Sequence, residues 1–263
     1  MILTLLTDYG LDDEFVGVCH GVIRRIAPEV AIVDITHGVA RHDVREGALT
    51  LRNSLPYVPP GVHVAVVDPQ VGTERRAVAV RCAEDDRVLV GPDNGLLALA
   101  WERLGGAVEA VDVSRSPHRL EPLSATFHGR DVFAPVGAAL ASGEPFAGAG
   151  DPLDPAELTA LELPQSRREG DALVAHALVI DGYGNVGLNV GHDDAMAAGI
   201  RLGDRVDVNG HEALVVQTFA DVPAGELLLY EDAWRSLALA VNRGDAAELL
   251  GLRPDDEVRL AAR

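Results

Sequence analysis

The sequence predicts an α/β fold: an N-terminal α/β domain with a mostly parallel central sheet, then a smaller C-terminal all-β, barrel-like domain. Three observations carry this. Short apolar runs alternate with helical spacings over the first 143 residues. Residues 147–170 then become rich in Gly, Pro and charge, as a connecting segment does. Beyond Asp171, short apolar runs follow one another, closed by turns. The expected boundaries are 1–155, a linker at 156–170, and 171–263.

The elements follow in order. ILTLL (2–6) is a strand, GVCHGVIRRIA (17–27) has helical spacing, and VAIVDI (30–35) is a second strand. DVREGALTLRNSLPYV (43–58) reads as a helix opened by Asp43, before the strand HVAVVD (63–68). AVAVRCA (77–83) and RVLVGP (87–92) form a hairpin-like pair, and GLLALAWERLG (95–105) is a helix with Gly105 near its end. VEAVDV (108–113) is a strand, and GRDVFAPVGAALASG (129–143) a helix stopped by Gly143. The second domain reads as the strands ALVAHALVI, GNVGLNV, DRVDVNG, EALVVQTFA and ELLLYED. SLALAVNRGDAAELLGL carries a further strand into a short helix, and DEVRLAA is the last strand. A small barrel or a sandwich satisfies that pattern.

Composition excludes several classes. The 263 residues carry a formal charge of −19, which argues against nucleic acid or an anionic membrane as partner. No apolar run reaches the roughly 18 residues of a membrane span. MILTLLTDYG has neither a basic flank nor a small-residue cleavage site, so no signal peptide is expected and the compartment expected is the cytoplasm. Cys19 and Cys82, far apart and each in an apolar pattern, read as reduced, buried thiols.

The chemistry-bearing stretches lie at turns. In HVAVVDPQVGTERRAVAV (63–80) an apolar run ends on Asp68-Pro69, turns at Gly72 and offers Arg75 and Arg76. Proline cannot donate to a ladder, so strand pairing stops there and a carboxylate and a guanidinium arrive together at a sheet edge. TDYGLDDEF sets Asp8 directly after the first strand, as a ligand contact or as a cap for the helix near Phe15; Asp12 and Glu14 read as caps or solvated charge. VDITHGVARHDVREGA holds His37, His42 and Asp43, whose spacing fits no helical zinc pattern, so a structural role is favoured over a metal. TFHGRD offers Phe127, a titratable His128 and Gly129 at a helix start. Asp181, Tyr183 and Asn185 share the glycine-rich turn IDGYGN, Phe219 stands in TFAD, and AVNRG presents Val241, Asn242 and Arg243 at a strand end. Phosphate-cradling glycine loops and a GxSxG elbow are absent from the sequence.

Taken in order, TDYG, VDITH, DVREGA, VDPQVGTERR, PDNGLL, TFHGRD, DGYGN, TFAD and AVNRG resemble the S-adenosyl-L-methionine hydroxide adenosyltransferases, hydrolytic relatives of the fluorinases and chlorinases. The resemblance covers nearly the whole chain. It implies a homotrimer, with substrate between one subunit's N-terminal domain and a neighbour's C-terminal domain. It implies that Asp8 grips the ribose diol, that Phe219 packs on adenine, and that Asn242 with the backbone of Val241 and Arg243 reads the adenine edge. Asp181 and Asn185 would face the methionine part. Asp68, Arg75 and His128 would form the triad that positions and activates water. Fluorinase-like sequences carry Tyr in place of Asp68 and a Tyr-Ser pair in place of His128 and Gly129. Ala233 and Ala238 stand where relatives often have Ser and Glu, beside bulky Trp234 and Arg235, so contacts to the methionine end are expected to be rearranged.

The implied activity is hydrolysis of S-adenosyl-L-methionine to adenosine and L-methionine, by water or hydroxide attack on ribose C5′. Because the sulfonium is already a good leaving group, no cofactor and no metal is expected. Asp68 and His128 are both expected to accept hydrogen bonds from the water. Rival readings are a halide-dependent transferase, a non-catalytic adenosyl-ligand binder, and a metal-dependent hydrolase using Asp8, His37 and His42.

Overall fold

The computed structural model describes residues 1–262 and forms two compact units, Met1–Leu161 and Glu162–Arg263. Residues 156–161 of the expected linker thus belong to the first unit, and 162–170 to the second.

The first unit contains strands β1 (Ile2–Thr7), β2 (Ala31–Thr36), β3 (Gly61–Val66), β4 (Ala77–Cys82), β5 (Val88–Pro92), β6 (Ala107–Asp112) and β7 (Asp151–Leu153). Its helices are α1 (Phe15–Ile26), α2 (Val44–Ser54), α3 (Ala98–Arg103) and α4 (Ala134–Ala141). The sheet order is β2-β1-β3-β5-β4-β6-β7. β1, β2, β3, β5 and β6 run one way, and β4 and β7 run against them. Both faces are covered. Leu3, Leu5, Val64 and Val66 pack with Ile23 of α1 and Val136 of α4, while Leu6, Ala65 and Val67 pack with Leu51 of α2 and Ala100 of α3. Strands sandwiched in this way must be apolar on both sides, which is why they read as continuous runs.

Local signals placed most of these elements within two residues. Asp43 caps α2 by accepting from the Glu46 N–H at 2.8 Å, as its position suggested. Glu14 precedes α1 without a side-chain cap bond, and Asp12 lies exposed in the same turn, so the acids there are solvated rather than capping. The helix expected over 129–143 starts with a π-helical turn, Gly129–Phe133, before α4. Cys19 and Cys82 are free and buried, and burial pushes each thiol up to about 12. Among the described residues no helix is long and apolar enough to cross a membrane.

One polar chain crosses the first core. His63 on β3 is fully buried, with Nδ1 3.0 Å from Thr4 Oγ1 and Nε2 3.3 Å from Arg87 Nη1. Burial, then Arg87, lowers this imidazole to about 3. The unfolded chain therefore takes up a proton near pH 6.5 that the folded chain refuses until far lower. Stability is lost as pH falls through that window, at about 1.4 kcal/mol per pH unit. Urea unfolding should show a loss of about 2 kcal/mol between pH 6.5 and 5, and His63→Asn should flatten that slope. An unchanged slope in the variant would remove His63 from this role.

The second unit contains β8 (Arg167–Glu169), β9 (Ala172–Ile180), β10 (Val186–Gly191), α5 (His192–Ala197), β11 (Arg205–Val208), β12 (His211–Val215), β13 (Leu227–Glu231), β14 (Ser236–Val241), α6 (Ala246–Leu250) and β15 (Glu257–Ala262). The strand order is β10-β14-β13-β12-β11-β15-β9-β8, and β10 also pairs with β9, which closes a seven-stranded barrel. β9 makes closure possible because it is nine residues long. Its first half pairs with β15 on one side and β8 on the other, and its second half pairs with β10. The barrel, not the sandwich, is therefore the fold, and closure leaves little open edge to protect.

Candidate active site

The C-terminal ends of the adjacent parallel strands β1 and β3 carry Asp8 and Asp68, the position at which open α/β sheets gather ligand groups. Asp68 lies two residues past β3, because Pro69 ends the pairing and the chain coils through Gly72. Gly72 has φ +81°, and a Cβ there would lie 2.5 Å from the Ala125 carbonyl oxygen. The loop carrying Asp68 and Arg75 is thus pressed against the loop carrying His128, although the two are far apart in sequence.

Arg75 joins the other two groups. Its Nε donates to Asp68 Oδ1 at 2.9 Å and to Oδ2 at 3.1 Å, and its Nη2 bonds Oδ2. The same Nη2 lies 3.1 Å from His128 Nδ1. Both Arg75 and Asp68 side chains are only 5% exposed, and the guanidinium sits 5.2 Å from the centre of the buried Phe133 ring. A guanidinium has donors and no acceptor, so its bond to Nδ1 uses that nitrogen's lone pair. The network thus assigns the proton of the neutral imidazole to Nε2. This departs from the expectation that His128 accepts from water: in this tautomer it donates from Nε2. Burial, then Arg75, holds the His128 pKa below its ordinary value against the pull of Asp68, so the ring is neutral at pH 7.

His128 is itself held firmly. Asp131, next turn on, accepts from the Ser124 N–H at 2.9 Å and pairs with Arg130, whose guanidinium lies 5.1 Å from the Phe127 ring centre. Phe127, Phe15 and Tyr9 form a cluster of edge-to-face rings with centroids 5.2 to 5.9 Å apart. Tyr9 was missed by sequence reasoning, because its neighbours come from distant parts of the chain. Burial, reinforced by Cys19, Asp8 and Asp68, pushes its phenol well above the usual range and keeps it protonated. A Cβ at Gly129 would lie 2.0 Å from the Tyr9 hydroxyl. Gly129→Ala should therefore shift His128 or Tyr9 and lower turnover by about 10- to 100-fold, since a displacement near 1 Å has effects of that order. Adding Tyr9→Phe to that variant should restore part of the loss. Full activity in Gly129→Ala, measured as steady-state turnover, would show that the close packing is dispensable.

Asp8 accepts from the His42 N–H through Oδ2 at 2.9 Å, which fixes the carboxylate over the end of β1. The rival metal set of Asp8, His37 and His42 is not gathered. His42 meets Asp8 through its backbone, and His37 turns its Nδ1 to Thr7 Oγ1 at 2.8 Å. Arg76 faces elsewhere, pairing with Asp93 and Glu157.

In the second unit, Asp181 shapes its own turn. Its carboxylate accepts from the N–H groups of Tyr183 (2.8 Å) and Asn185 (3.0 Å) and from the Asn185 amide (2.8 Å). The turn leaves Tyr183 projecting, 83% exposed. Phe219 lies on a 3-10 turn, Phe219–Asp221, closed by reciprocal bonds between Thr218 and Asp221, and it packs edge-on to Tyr230 at 5.1 Å. Asn242 is tied to the neighbouring loop, its amide donating to the Val222 carbonyl at 2.7 Å and its N–H to the Glu226 carbonyl at 3.1 Å. Val241 ends β14, and Arg243 follows in a left-handed conformation with φ +59°. Ala238 is buried on β14, while Ala233, Trp234 and Arg235 form the exposed turn before it.

Comparison with known proteins agrees with this layout. Residues 3–150 match the SAM hydroxide adenosyltransferase N-terminal domain, and residues 175–259 match the C-terminal domain of the same family. A protein of Salinispora tropica named (R)-S-adenosyl-L-methionine hydrolase is 45% identical over 99% of this chain and 97% of its own length. A fluorinase of Nocardia brasiliensis is 30% identical over 98% and 96% of the two chains. A crystal structure of an uncharacterized conserved protein from Thermotoga maritima superposes with a TM-score of 0.90 at 36% identity, covering 99% of this chain and all of that one. With both units matched and the fold shared, the chain belongs to the SAM hydroxide adenosyltransferase family.

Proposed function

We propose that this protein hydrolyses S-adenosyl-L-methionine to adenosine and L-methionine by attack of water on ribose C5′. One observation carries the reading: a buried carboxylate, a guanidinium and a neutral imidazole are joined in a single hydrogen-bonded group beyond the C-terminal end of β3. The higher identity to a named hydrolase than to a fluorinase favours water over halide as nucleophile.

In this mechanism the water donates to Asp68, whose oxygens keep lone pairs beyond those used by Arg75, and accepts from His128 Nε2–H. Its remaining lone pair is then free to point at C5′. The oxygen–carbon bond forms as the carbon–sulfur bond breaks, and the electron pair of that bond neutralises the sulfonium to a thioether. Asp68 takes the proton that the water loses, which makes it the general base. Holding the nucleophile in line contributes up to roughly 7–11 kcal/mol in well-oriented systems. Arg75 keeps Asp68 charged and the imidazole in the donating tautomer. Asp8 would take the ribose diol, with Phe127 and Gly129 lining the approach. The second unit would supply Phe219 for stacking on adenine, Val241, Asn242 and Arg243 for its edge, and Asp181, Tyr183 and Asn185 for the methionine end. We further propose a homotrimer, as the family resemblance implies; light scattering on the purified chain should give three times the mass of one chain, and a monomer mass would contradict it.

The testing experiment is incubation with each sulfonium epimer, in chelator and with or without chloride and fluoride. Adenosine should form in every buffer, with preference for the R epimer that the Salinispora relative's name specifies. A 5′-halo-5′-deoxyadenosine product would favour the transferase, loss of turnover in chelator would favour a metal hydrolase, and binding without turnover would favour a sensor.

A further inference from the structure

His20, Asp34 and His37 lie outside the residues assigned above. His20 stands on α1, Asp34 on β2, and His37 on the turn that follows β2. His20 Nε2 is 2.9 Å and His37 Nε2 3.1 Å from the same oxygen, Asp34 Oδ1. One ligand atom from each residue lies within 4.8 Å of the others. His20 is hydrogen-bonded to Asp34 Oδ1, but on the His37 side the geometry argues against a plain hydrogen-bonded bridge.

His37 is 6% exposed, and its Nε2, 3.1 Å from Asp34 Oδ1, is buried without a hydrogen-bond partner. Its Nδ1 lies 2.8 Å from Thr7 Oγ1. When Nδ1–H donates to that hydroxyl, the buried Nε2 keeps an unshared lone pair 3.1 Å from a carboxylate oxygen, an arrangement that repels unless a cation stands between them. Metal-bound imidazoles are held in this manner, with the second ring nitrogen donating to a fixed acceptor. The group on the other side, His20 with Asp34, is partly open to solvent, and the chain's charge of −19 attracts cations.

We propose that His20, Asp34 and His37 form a binding site for a borderline divalent cation of the Zn²⁺ class, with solvent completing the shell. Zinc–nitrogen and zinc–oxygen bonds of about 2.0–2.2 Å at tetrahedral angles set ligand atoms about 3.3–3.5 Å apart. The two spacings to Asp34 Oδ1 need to open by a few tenths of an ångström, which the partly exposed His20 and Asp34 side chains can supply. The cation would clamp α1 to β2 and to the turn whose His37 carbonyl accepts from the Gly10 N–H at 2.8 Å. It is a structural tie, independent of the proposed hydrolysis.

The test uses the untagged full chain, stripped with chelator and dialysed, then titrated with Zn²⁺ by calorimetry and with Co²⁺ by visible absorption. One equivalent should bind, with the intense bands of a four-coordinate Co²⁺ centre. His20→Ala and Asp34→Asn, both at partly exposed positions, should each weaken binding at least tenfold. His192→Ala, at the separate His192–Glu231 pair, should leave it unchanged. Absence of stoichiometric binding, or binding of equal strength in both site variants, would overturn the proposal.

Discussion

Asp68→Asn should lower turnover by about 100-fold or more while leaving the fold intact, because the amide matches the carboxylate in shape and lacks its basicity. The geometry makes this the sharpest single change. Arg75 already occupies part of both carboxylate oxygens, so what remains is the acceptor that the water needs. His128→Ala should produce a loss of similar size by removing the Nε2–H donor, and His128→Gln, which can still donate, should lose less. A pH profile gives a second readout. Protonation of His128 would break its bond from Arg75, so activity should fall on the acid side with a midpoint below the ordinary histidine value near 6.5. A wild-type rate in Asp68→Asn would remove it from the mechanism, and an acid limb unchanged in His128→Gln would assign that limb to another group.

Arg75→Ala should affect both stability and activity. Asp68 and Arg75 are almost wholly shielded from water, and removing one member of such a pair leaves an unpaired buried charge, at a cost of about 3–5 kcal/mol. The contact with Phe133 is lost as well. Arg75→Lys should recover part of the stability, because it keeps the charge. It should recover little activity, because one ammonium cannot serve Asp68 and His128 with the fixed fork of a guanidinium. Urea unfolding and adenosine formation measured on the same preparations separate the two effects. Stability equal to wild type in Arg75→Ala would contradict the buried pair.

Much of the fold was legible because the central strands β1, β3, β4 and β5 of the first unit are covered on both sides. Their Val/Ala runs leave few other readings, and Asp68-Pro69 marks where one of them must stop. The second unit was legible as a barrel-like run of strands, and what stayed open was how the ring closes, since closure depends on how β9 divides its two halves between β15, β8 and β10. The short helix α5 went unread because its HDDAMA stretch has too few apolar residues to show a period. At the site, the turn after β3 pointed to Asp68 with Arg75, and His128 joined them only through the family resemblance. What neither could give was the direction of the hydrogen bonds. The tautomer of His128 follows from a single contact, Arg75 Nη2 to Nδ1, between loops that no local pattern joins. Tyr9 escaped for the same reason, and so did the internal commitment of Asp181 and Asn242 to their own loops.

The most direct measurement is turnover in ¹⁸O-labelled water, with both products analysed by mass spectrometry. One labelled oxygen should appear in adenosine, at the 5′-hydroxyl, with L-methionine unlabelled and the yield lowered by about 100-fold or more in Asp68→Asn. Unlabelled adenosine, or labelled homoserine with methylthioadenosine from attack on the other side of sulfur, would contradict the account.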